Sequence, residues 1–153
     1  MNNSAQAITS YNNLEIGKPF SIGKLSLSET DIIEYAKQFD PLEFHIDKEA
    51  ARKSLFGELI ASGPQIFQVM HCKYFLPLFG KSILAGLEVN NWKFLKPTYP
   101  NREIECIITI LDKKLNSGKR TVTIKWFYEF KYVETQELLQ SMEVTALHKV
   151  NEN

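Results

Sequence analysis

The 153-residue sequence lacks several features that would assign a protein to a class at once. It has two cysteines, Cys72 and Cys106, which are too few for a disulfide framework, and no Cys/His cluster has zinc-site spacing. No apolar run approaches the roughly 20 residues of a membrane-spanning helix. The first thirteen residues carry neither a basic nor an apolar region, so we expect no signal peptide. The default expectation is a cytoplasmic protein with no metal site and no membrane partner.

An excess of charge of either sign is also absent. Lys and Arg number 18, Asp and Glu number 18, and the formal net charge is zero. General binding to nucleic acid needs a basic excess, so we expect no nucleic-acid partner. Apolar residues, in contrast, are plentiful: they make up 44% of the chain and include ten phenylalanines. This composition predicts one globular domain with a large apolar interior and room for an apolar ligand.

The N-terminal residues differ in character from the rest of the chain. Residues 1–13 are polar, rich in asparagine and without hydrophobic periodicity. We expect them to form a flexible arm. The remainder of the chain contains no linker, repeat or low-complexity segment. The sequence therefore predicts one domain over residues 14–150.

Helices are predicted in the first half of this domain. The first begins with a capping-box pattern at Ser28, the second comes after Asp47, and the third begins at Pro64. With the spacing of the apolar residues, these signals place the helices over residues 29–38, 48–53 and 64–79. The third is apolar almost all round, which is typical of a helix buried in the centre of a domain.

Strands are predicted in the second half, where the hydrophobic period drops to two from residue 85 onward. The clearest strands lie over residues 103–111, 121–132 and 138–150. Long antiparallel strands after one apolar helix predict an α+β fold, in which a curved antiparallel sheet wraps around a long central helix. Both faces of the 103–111 strand carry apolar side chains, which suggests that one face meets another subunit rather than water.

The densest polar segment is FDPLEFHID, residues 39–47. Asp40 and His45 lie five positions apart on a segment broken by Pro41, so both side chains can turn toward one point. A carboxylate beside an imidazole can hold a water molecule and move its proton at neutral pH. Spacing alone leaves a second interpretation open, in which Asp40 caps a turn and His45 is an ordinary core or surface histidine.

A second element is Ser62-Gly63-Pro64, at the start of the predicted central helix. Backbone N–H groups at a helix N-terminus attract a developing oxyanion, and Gly63 is placed to supply one. A plain glycine turn before the helix is the alternative. An acid–base pair with an oxyanion donor is the set needed to add water to, or remove it from, a double bond conjugated to a carbonyl.

The run FDPLEFHIDKEAARKSLFGELIASG resembles the signature of MaoC-like dehydratases, the (R)-specific enoyl-CoA hydratase group of the hotdog superfamily. The later stretch WKFLKP is similar to the family's aromatic-basic-Pro strand, and the resemblance covers roughly residues 14–149. It implies a hotdog fold and a homodimer or a larger assembly of dimers. It also implies acyl thioesters of coenzyme A or acyl carrier protein as substrates, with no separate cofactor.

The resemblance also implies site residues. The catalytic dyad falls on Asp40 and His45, and the oxyanion-binding N–H falls on Gly63. Ser62 stands where many members have a histidine; we expect it to cap the helix rather than to touch the thioester. His71 lies where the group tends to carry a small polar residue near the active site. It either contacts the acyl group or bound water, or is a core histidine bonded to a backbone carbonyl.

Two further sets of residues have open interpretations. Aromatic side chains either line an acyl tunnel or belong to the core: Phe44, Phe56, Phe67 and Trp92. Basic side chains either meet the phosphates of the thioester carrier or form a solvated face: Lys93, Lys96 and Arg102.

The predicted activity is (R)-specific hydration of enoyl thioesters, or equally dehydration of 3-hydroxyacyl thioesters. One alternative is an acyl thioesterase on the same scaffold. Hotdog thioesterases usually place a carboxylate on the central helix, and residues 64–79 contain no Asp or Glu, which counts against hydrolysis. Another alternative is a non-catalytic subunit that binds acyl thioesters or pairs with an active partner. The presence of Asp40, His45 and Gly63 counts against that role.

Overall fold

A five-stranded antiparallel sheet is the main element of the computed structural model, which describes residues 15–118 and 120–150. The strands are β1 (Phe20–Leu25), β2 (Ile83–Phe94), β3 (Ile104–Asn116), β4 (Thr121–Tyr132) and β5 (Leu138–Lys149). Their order in the sheet is β1-β3-β4-β5-β2, so β1 and β2 form the edges. The sheet wraps around a central helical segment, which confirms the predicted α+β architecture. The predicted flexible arm, residues 1–13, lies outside the described residues.

The helices lie between β1 and β2 in the chain. They are α1 (Glu29–Phe39), α2 (Glu43–Ile46), α3 (Lys48–Lys53), α4 (Gly63–Met70) and α5 (Leu76–Phe79). Ser28 and Asp31 form a capping box, since each side chain bonds to the other's backbone N–H, at 3.0 and 2.9 Å. Asp47 caps α3. The predicted first and second helices are therefore confirmed. None of the helices among residues 15–118 and 120–150 has the length and apolarity needed to cross a membrane.

The predicted central helix, residues 64–79, is not one regular α-helix. A π-helical turn, His71–Phe75, separates α4 from α5, and the N–H of Leu76 bonds to the carbonyl of His71, five residues earlier. Pro77 accounts for the change, because proline has no N–H for the ladder and its ring crowds the preceding turn. The expectation of burial all round was also wrong, since Cys72 and Leu76 are exposed.

The core lies between the central helical segment and the concave face of the sheet. Along β4 every second residue is buried, from Val122 to Tyr132, as the predicted period of two requires. From the helical side, Ile66 and Met70 are fully buried, and the ring of Phe75 meets that of Trp126 edge to face at 5.1 Å. This packing fixes where α4 begins relative to the sheet.

The edge strand β2 carries a larger number of exposed apolar side chains than any other strand of the described sheet. Leu84, Leu87, Val89 and Phe94 are all more than half exposed. The apolar residues of β3 on which the sequence bases a subunit contact range from half-buried, as Ile107 is, to exposed, as Leu111 is at 38%. An edge strand that is both apolar and unpaired is a surface on which another chain can add a strand.

Candidate active site

Asp40 and His45 come together because two helices meet at a tight turn. Asp40 is the C-terminal cap of α1, and its N–H bonds to the carbonyl of Ala36. The N–H of Leu42 bonds to the Asp40 carbonyl at 2.8 Å, and His45 lies on the short helix α2 that begins at the next residue. The sequence did not predict α2. As a result, Nε2 of His45 lies 3.4 Å from Oδ2 of Asp40.

The His45 ring is held in one orientation by a backbone carbonyl. Its Nδ1 lies 2.7 Å from the carbonyl oxygen of Ile60, which can only accept a hydrogen bond. Nδ1 therefore carries a proton, and Nε2 is the nitrogen that can gain or lose one on the side facing Asp40. The His45 side chain is 6% exposed and that of Asp40 is 36% exposed, so the carboxylate is the member of the pair that meets solvent.

Ser62 does not cap the central helix, which corrects the expectation from sequence. The structure gives it no side-chain cap bond, and the N–H of Gln65 bonds to the Ser62 carbonyl instead. The Ser62 hydroxyl donates to Oδ2 of Asp40 at 2.7 Å. A hydrogen bond to an ionised carboxylate is stronger than one between neutral groups, so the bond to Asp40 is favoured over a cap. The same carboxylate oxygen therefore faces both Ser62 and His45.

Gly63 begins α4 beside this carboxylate. The first N–H groups of a helix have no acceptor within the helix, and Pro64 has no N–H at all. A side chain at position 63 has no room, because an added Cβ would lie 2.5 Å from Cε1 of Phe94. The N–H of Gly63 is thus a backbone donor at the positive end of a helix, close to Asp40.

One cavity of about 550 Å³ contains these groups. Its walls are mainly apolar, and its polar lining residues are Asp40, His45, Lys96, Thr98 and Gln140. The full lining is completed by Leu42, Phe44, Phe56, Ile60, Ala61, Gly63, Pro64, Phe94, Leu95 and Pro97. The cavity has the size of a small-molecule site with a few convergent polar groups.

The candidate aromatic residues divide into two groups. Phe44 and Phe56 line the cavity and contact each other, with ring centroids 5.3 Å apart. Phe67 and Trp92 do not line it; their rings meet edge to face at 5.6 Å in a separate aromatic cluster. Of the three basic candidates, Lys96 alone is among the lining residues.

His71 lies away from this cavity. Its Nδ1 is 3.1 Å from the hydroxyl of Tyr128, and its ring stacks on Phe75 at 4.8 Å. The partner is thus a tyrosine hydroxyl rather than the backbone carbonyl considered from sequence. Burial lowers the pKa of His71 from its ordinary value. The structure does not bring His71 to the residues that surround Asp40.

Sequence reasoning missed two polar residues of the cavity, Gln140 and Thr98. Gln140 bonds to both Gly63 and Trp92. The Oγ1 of Thr98 is buried and has no hydrogen-bond partner among the described residues. Neither belongs to a motif: the pairing of β5 with β2 brings Gln140 to the site, and Thr98 lies in the loop after β2, where its carbonyl accepts from the N–H of Ala61. Within the part of the chain that is described, no three His, Cys, Asp or Glu residues are grouped to hold a metal ion.

Comparison with known proteins decides the family. The family described as MaoC like domain matches residues 12–126. The chain belongs to this family, which includes hydratases and dehydratases. A Bacillus subtilis relative, the uncharacterized protein YdeM, is 38% identical over 100 residues, which are 65% of this chain and 71% of YdeM.

Two solved structures have the same fold. The MaoC-like dehydratase from Rhodospirillum rubrum is 22% identical with a TM-score of 0.82, over 94% of this chain and 99% of that one. The R-hydratase PhaJ1 from Pseudomonas aeruginosa is 18% identical with a TM-score of 0.74, over 94% and 87% of the two chains. At these identities the likeness shows the fold alone, and the fold is the hotdog fold.

Proposed function

We propose that this MaoC-like protein is an (R)-specific enoyl thioester hydratase, and in reverse a 3-hydroxyacyl thioester dehydratase. The observation that supports this most directly is that Asp40, His45 and Gly63, the first residue of α4, line one cavity, with the first two 3.4 Å apart. The substrate is a 2-enoyl thioester of coenzyme A or acyl carrier protein. The carrier enters as part of the substrate, and no further cofactor is needed.

The dyad takes one proton from water and gives one to the α-carbon while one C–O bond forms. Asp40 and His45 hold a water molecule between the carboxylate and Nε2. As the water oxygen attacks the β-carbon, one of the two groups removes its proton, and the other supplies a proton to the α-carbon. The dyad thus holds as many protons at the end as at the start, and dehydration is the same path reversed.

One backbone contact and one hydroxyl support this assignment, and the Gly63 N–H completes it. The Nδ1–H bond from His45 to Ile60 leaves Nε2 as the site of proton exchange. The Ser62 hydroxyl holds the Asp40 carboxylate through a charge-assisted bond rather than binding the thioester itself. The N–H of Gly63 donates to the thioester oxygen as enolate-like charge develops; losing one such donor costs about 3 kcal/mol in other enzymes. His71 has no part in this proposal.

Hydration of crotonyl-CoA, followed by loss of the enoyl-thioester absorbance, tests the dyad. We expect turnover by the wild type. Asp40→Asn and His45→Ala should each lower kcat by about 100- to 10,000-fold, because each removes one acid–base group. Asp112→Asn, on the exposed part of β3, is the matched control for Asp40→Asn and should keep wild-type activity. Equal rates for all four proteins would rule out the dyad.

The stereochemistry of the product tests the (R)-specific part of the proposal. An (S)-specific 3-hydroxyacyl-CoA dehydrogenase should leave the hydration product of crotonyl-CoA unoxidised. Rapid oxidation would show that water is added to the other face of the double bond, and the proposed specificity would be wrong even if the dyad is right.

Two alternatives are separated by one further assay. A thioesterase would release free thiol from an acyl-CoA, which a thiol reagent detects, and a non-catalytic subunit would give neither thiol release nor hydration. The absence of any Asp or Glu from residues 64–79 argues against hydrolysis on the pattern of hotdog thioesterases. The convergence of Asp40, His45 and Gly63 argues against a purely structural role.

We also propose that two copies of the chain form a homodimer by antiparallel pairing of their β2 strands. β2 is an edge strand that pairs only with β5 among the described residues, and it carries apolar side chains that are more than half exposed, among them Val89 at 54%. A two-fold axis brings two such edges together in register with themselves. Val89→Lys should give a monomer in analytical ultracentrifugation where the wild type gives a dimer. A monomeric wild type at micromolar concentration would contradict the pairing.

A further inference from the structure

Gln140 is a buried polar residue at the proposed site that lies outside residues 12–126, the segment that matches the family. It lies on β5 opposite Phe94 of β2 and is 2% exposed. It also lines the cavity that contains Asp40 and His45. A buried amide needs hydrogen-bond partners, and the partners of this one connect the sheet to the start of α4.

The orientation of the Gln140 amide is fixed by its two partners. The indole N–H of Trp92 can only donate, and it lies 3.2 Å from Oε1 of Gln140. The amide nitrogen must then face the other way, where Nε2 donates to the carbonyl oxygen of Gly63 at 2.7 Å. The carbonyl can only accept, so both bonds agree on the same orientation. Gln140 therefore joins Trp92 to Gly63.

Gly63 is the residue whose backbone most needs such support. Glycine has the greatest backbone freedom of any residue, and an oxyanion donor acts only if it is already aimed at the developing charge. The peptide that carries the Gly63 N–H is held on one side by Ser62, whose hydroxyl bonds to Asp40. On the other side the Gly63 carbonyl is held by Gln140. The ring of Phe94 lies where a side chain at position 63 would stand.

We propose that Gln140 is a positioning residue that aims the Gly63 N–H at the thioester oxygen, an inference that rests on the proposed hydratase function. The Gln140 amide bonds to Trp92 and Gly63, so it acts through Gly63 rather than on the substrate. The contact ties the oxyanion donor to β5, while Ser62 ties it to the dyad carboxylate. The two groups that must act on one substrate are thereby held at a fixed separation.

Two substitutions at position 140 test this placement. Gln140→Leu removes the bond to Gly63. It should lower kcat for crotonyl-CoA by about 10- to 100-fold, because misplacing a group at the reaction centre by about 1 Å can lower the rate by about 100-fold. KM should change little. Gln140→Glu keeps the shape and the acceptor for Trp92, but its carboxylate cannot donate to Gly63. Only the protonated carboxyl group of the glutamic acid can donate a hydrogen bond to the Gly63 carbonyl.

The pH dependence of Gln140→Glu distinguishes positioning from a general loss of packing. The ratio of its kcat to that of the wild type should rise as the pH falls from about 8 to about 5.5, because protonation of the buried carboxylate restores the donor. The same ratio for Gln140→Leu should stay constant. Gln136→Glu, in the exposed turn before β5, is the matched control for the added charge, and its ratio should remain near one at every pH.

The outcomes separate this inference from the proposed function. If the wild type is active and both Gln140 variants stay within twofold of it, the inference is wrong. A loss confined to KM also overturns it, since Gln140 would then bind the substrate directly, and so does a constant ratio for Gln140→Glu. If the wild type is inactive on every enoyl thioester, the proposed function fails. The hydrogen-exchange rate of the Gly63 amide then tests whether Gln140 holds the Gly63 backbone in place. Faster exchange of the Gly63 amide in Gln140→Leu than in the wild type supports the positioning role of Gln140, and equal exchange overturns it.

Discussion

The buried histidine of β5 predicts that the protein loses stability in mild acid. His148 is fully buried, and its Nε2 accepts a hydrogen bond from the indole N–H of Trp126 at 3.1 Å. Its Nδ1 therefore carries the proton and lies 2.8 Å from the hydroxyl of Ser82, which itself donates to the carbonyl of Phe79. The neutral His148 ring thus makes a hydrogen bond with each of its two partners, Trp126 and Ser82. A second proton on Nε2 would face the N–H of Trp126.

The size of the effect follows from the pKa. Burial lowers the pKa of His148 from 6.5 to about 4, so between these values the unfolded chain binds a proton that the folded chain does not. The free energy of unfolding is therefore at its full value above pH 6.5 and falls as the pH falls toward 4. At about 1.4 kcal/mol for each pKa unit, the loss by pH 4 is about 3 kcal/mol. That is a large part of the total stability of a typical domain.

Urea unfolding of the wild type and His148→Gln, at about pH 7.5 and about pH 4, measures this loss. The substituted glutamine would be neutral at both values, with an amide able to accept from Trp126 and donate to Ser82. The variant should be less stable than the wild type at the higher pH, but the gap should close by about 3 kcal/mol at the lower one. Other titrating groups, including His71, act equally in both proteins and cancel in the difference. A gap that stays constant with pH would refute the reasoning.

Three further predictions concern the cavity. Gly63→Ala should lower kcat at least tenfold, because the added methyl carbon would lie 2.5 Å from the ring of Phe94 and must displace it; unchanged crotonyl-CoA hydration would show that the start of α4 tolerates a side chain. Thr98→Val should raise the free energy of unfolding by about 1 kcal/mol in a thermal or urea melt, since it removes a buried hydroxyl without a partner among the described residues; a loss of stability of that size would mean that the hydroxyl is satisfied. Lys96→Glu should raise KM for a coenzyme A thioester without changing kcat, because Lys96 lines the cavity and the proposed function brings a phosphate-bearing carrier there; the effect should shrink with added salt. Lys96→Arg should keep the wild-type KM, and a salt-independent effect would argue against a phosphate contact.

Local signals made much of the fold predictable. The capping box at Ser28 marked the start of α1, Asp47 marked that of α3, and strict alternation marked the bounds of β4. These features depend on neighbouring residues, which a sequence displays directly. β1 was missed because its residues are mostly half-buried or exposed and show no clean alternation. The π-helical turn was missed because a proline inside an apolar run does not say how the helix will adapt.

The site was predictable only where its members lie on one segment. Asp40 and His45 are five residues apart, so a sharp turn suffices to bring them together, and the predicted start of a helix adds Gly63, as the family resemblance also implies. The partners of these residues are far away in sequence: Ser62 lies 22 positions from Asp40, and Gln140 lies 77 positions from Gly63. Ser62 was expected to cap a helix by accepting from a backbone N–H, but its hydroxyl instead donates to the carboxylate of Asp40, which local sequence does not place beside it.

The sequence by itself determined α1, α3 and β4, the motif that places an acid and a base on one turn, and membership of the MaoC-like family. Periodicity, capping and short-range spacing contain that information. Tertiary structure alone decided which side chain each polar group meets, because the packing of distant segments sets those distances. It set Gln140 opposite Phe94, directed Ser62 to Asp40 and kept His71 beside Tyr128. Hydrogen-bond partners depend on three-dimensional proximity, which local sequence does not specify.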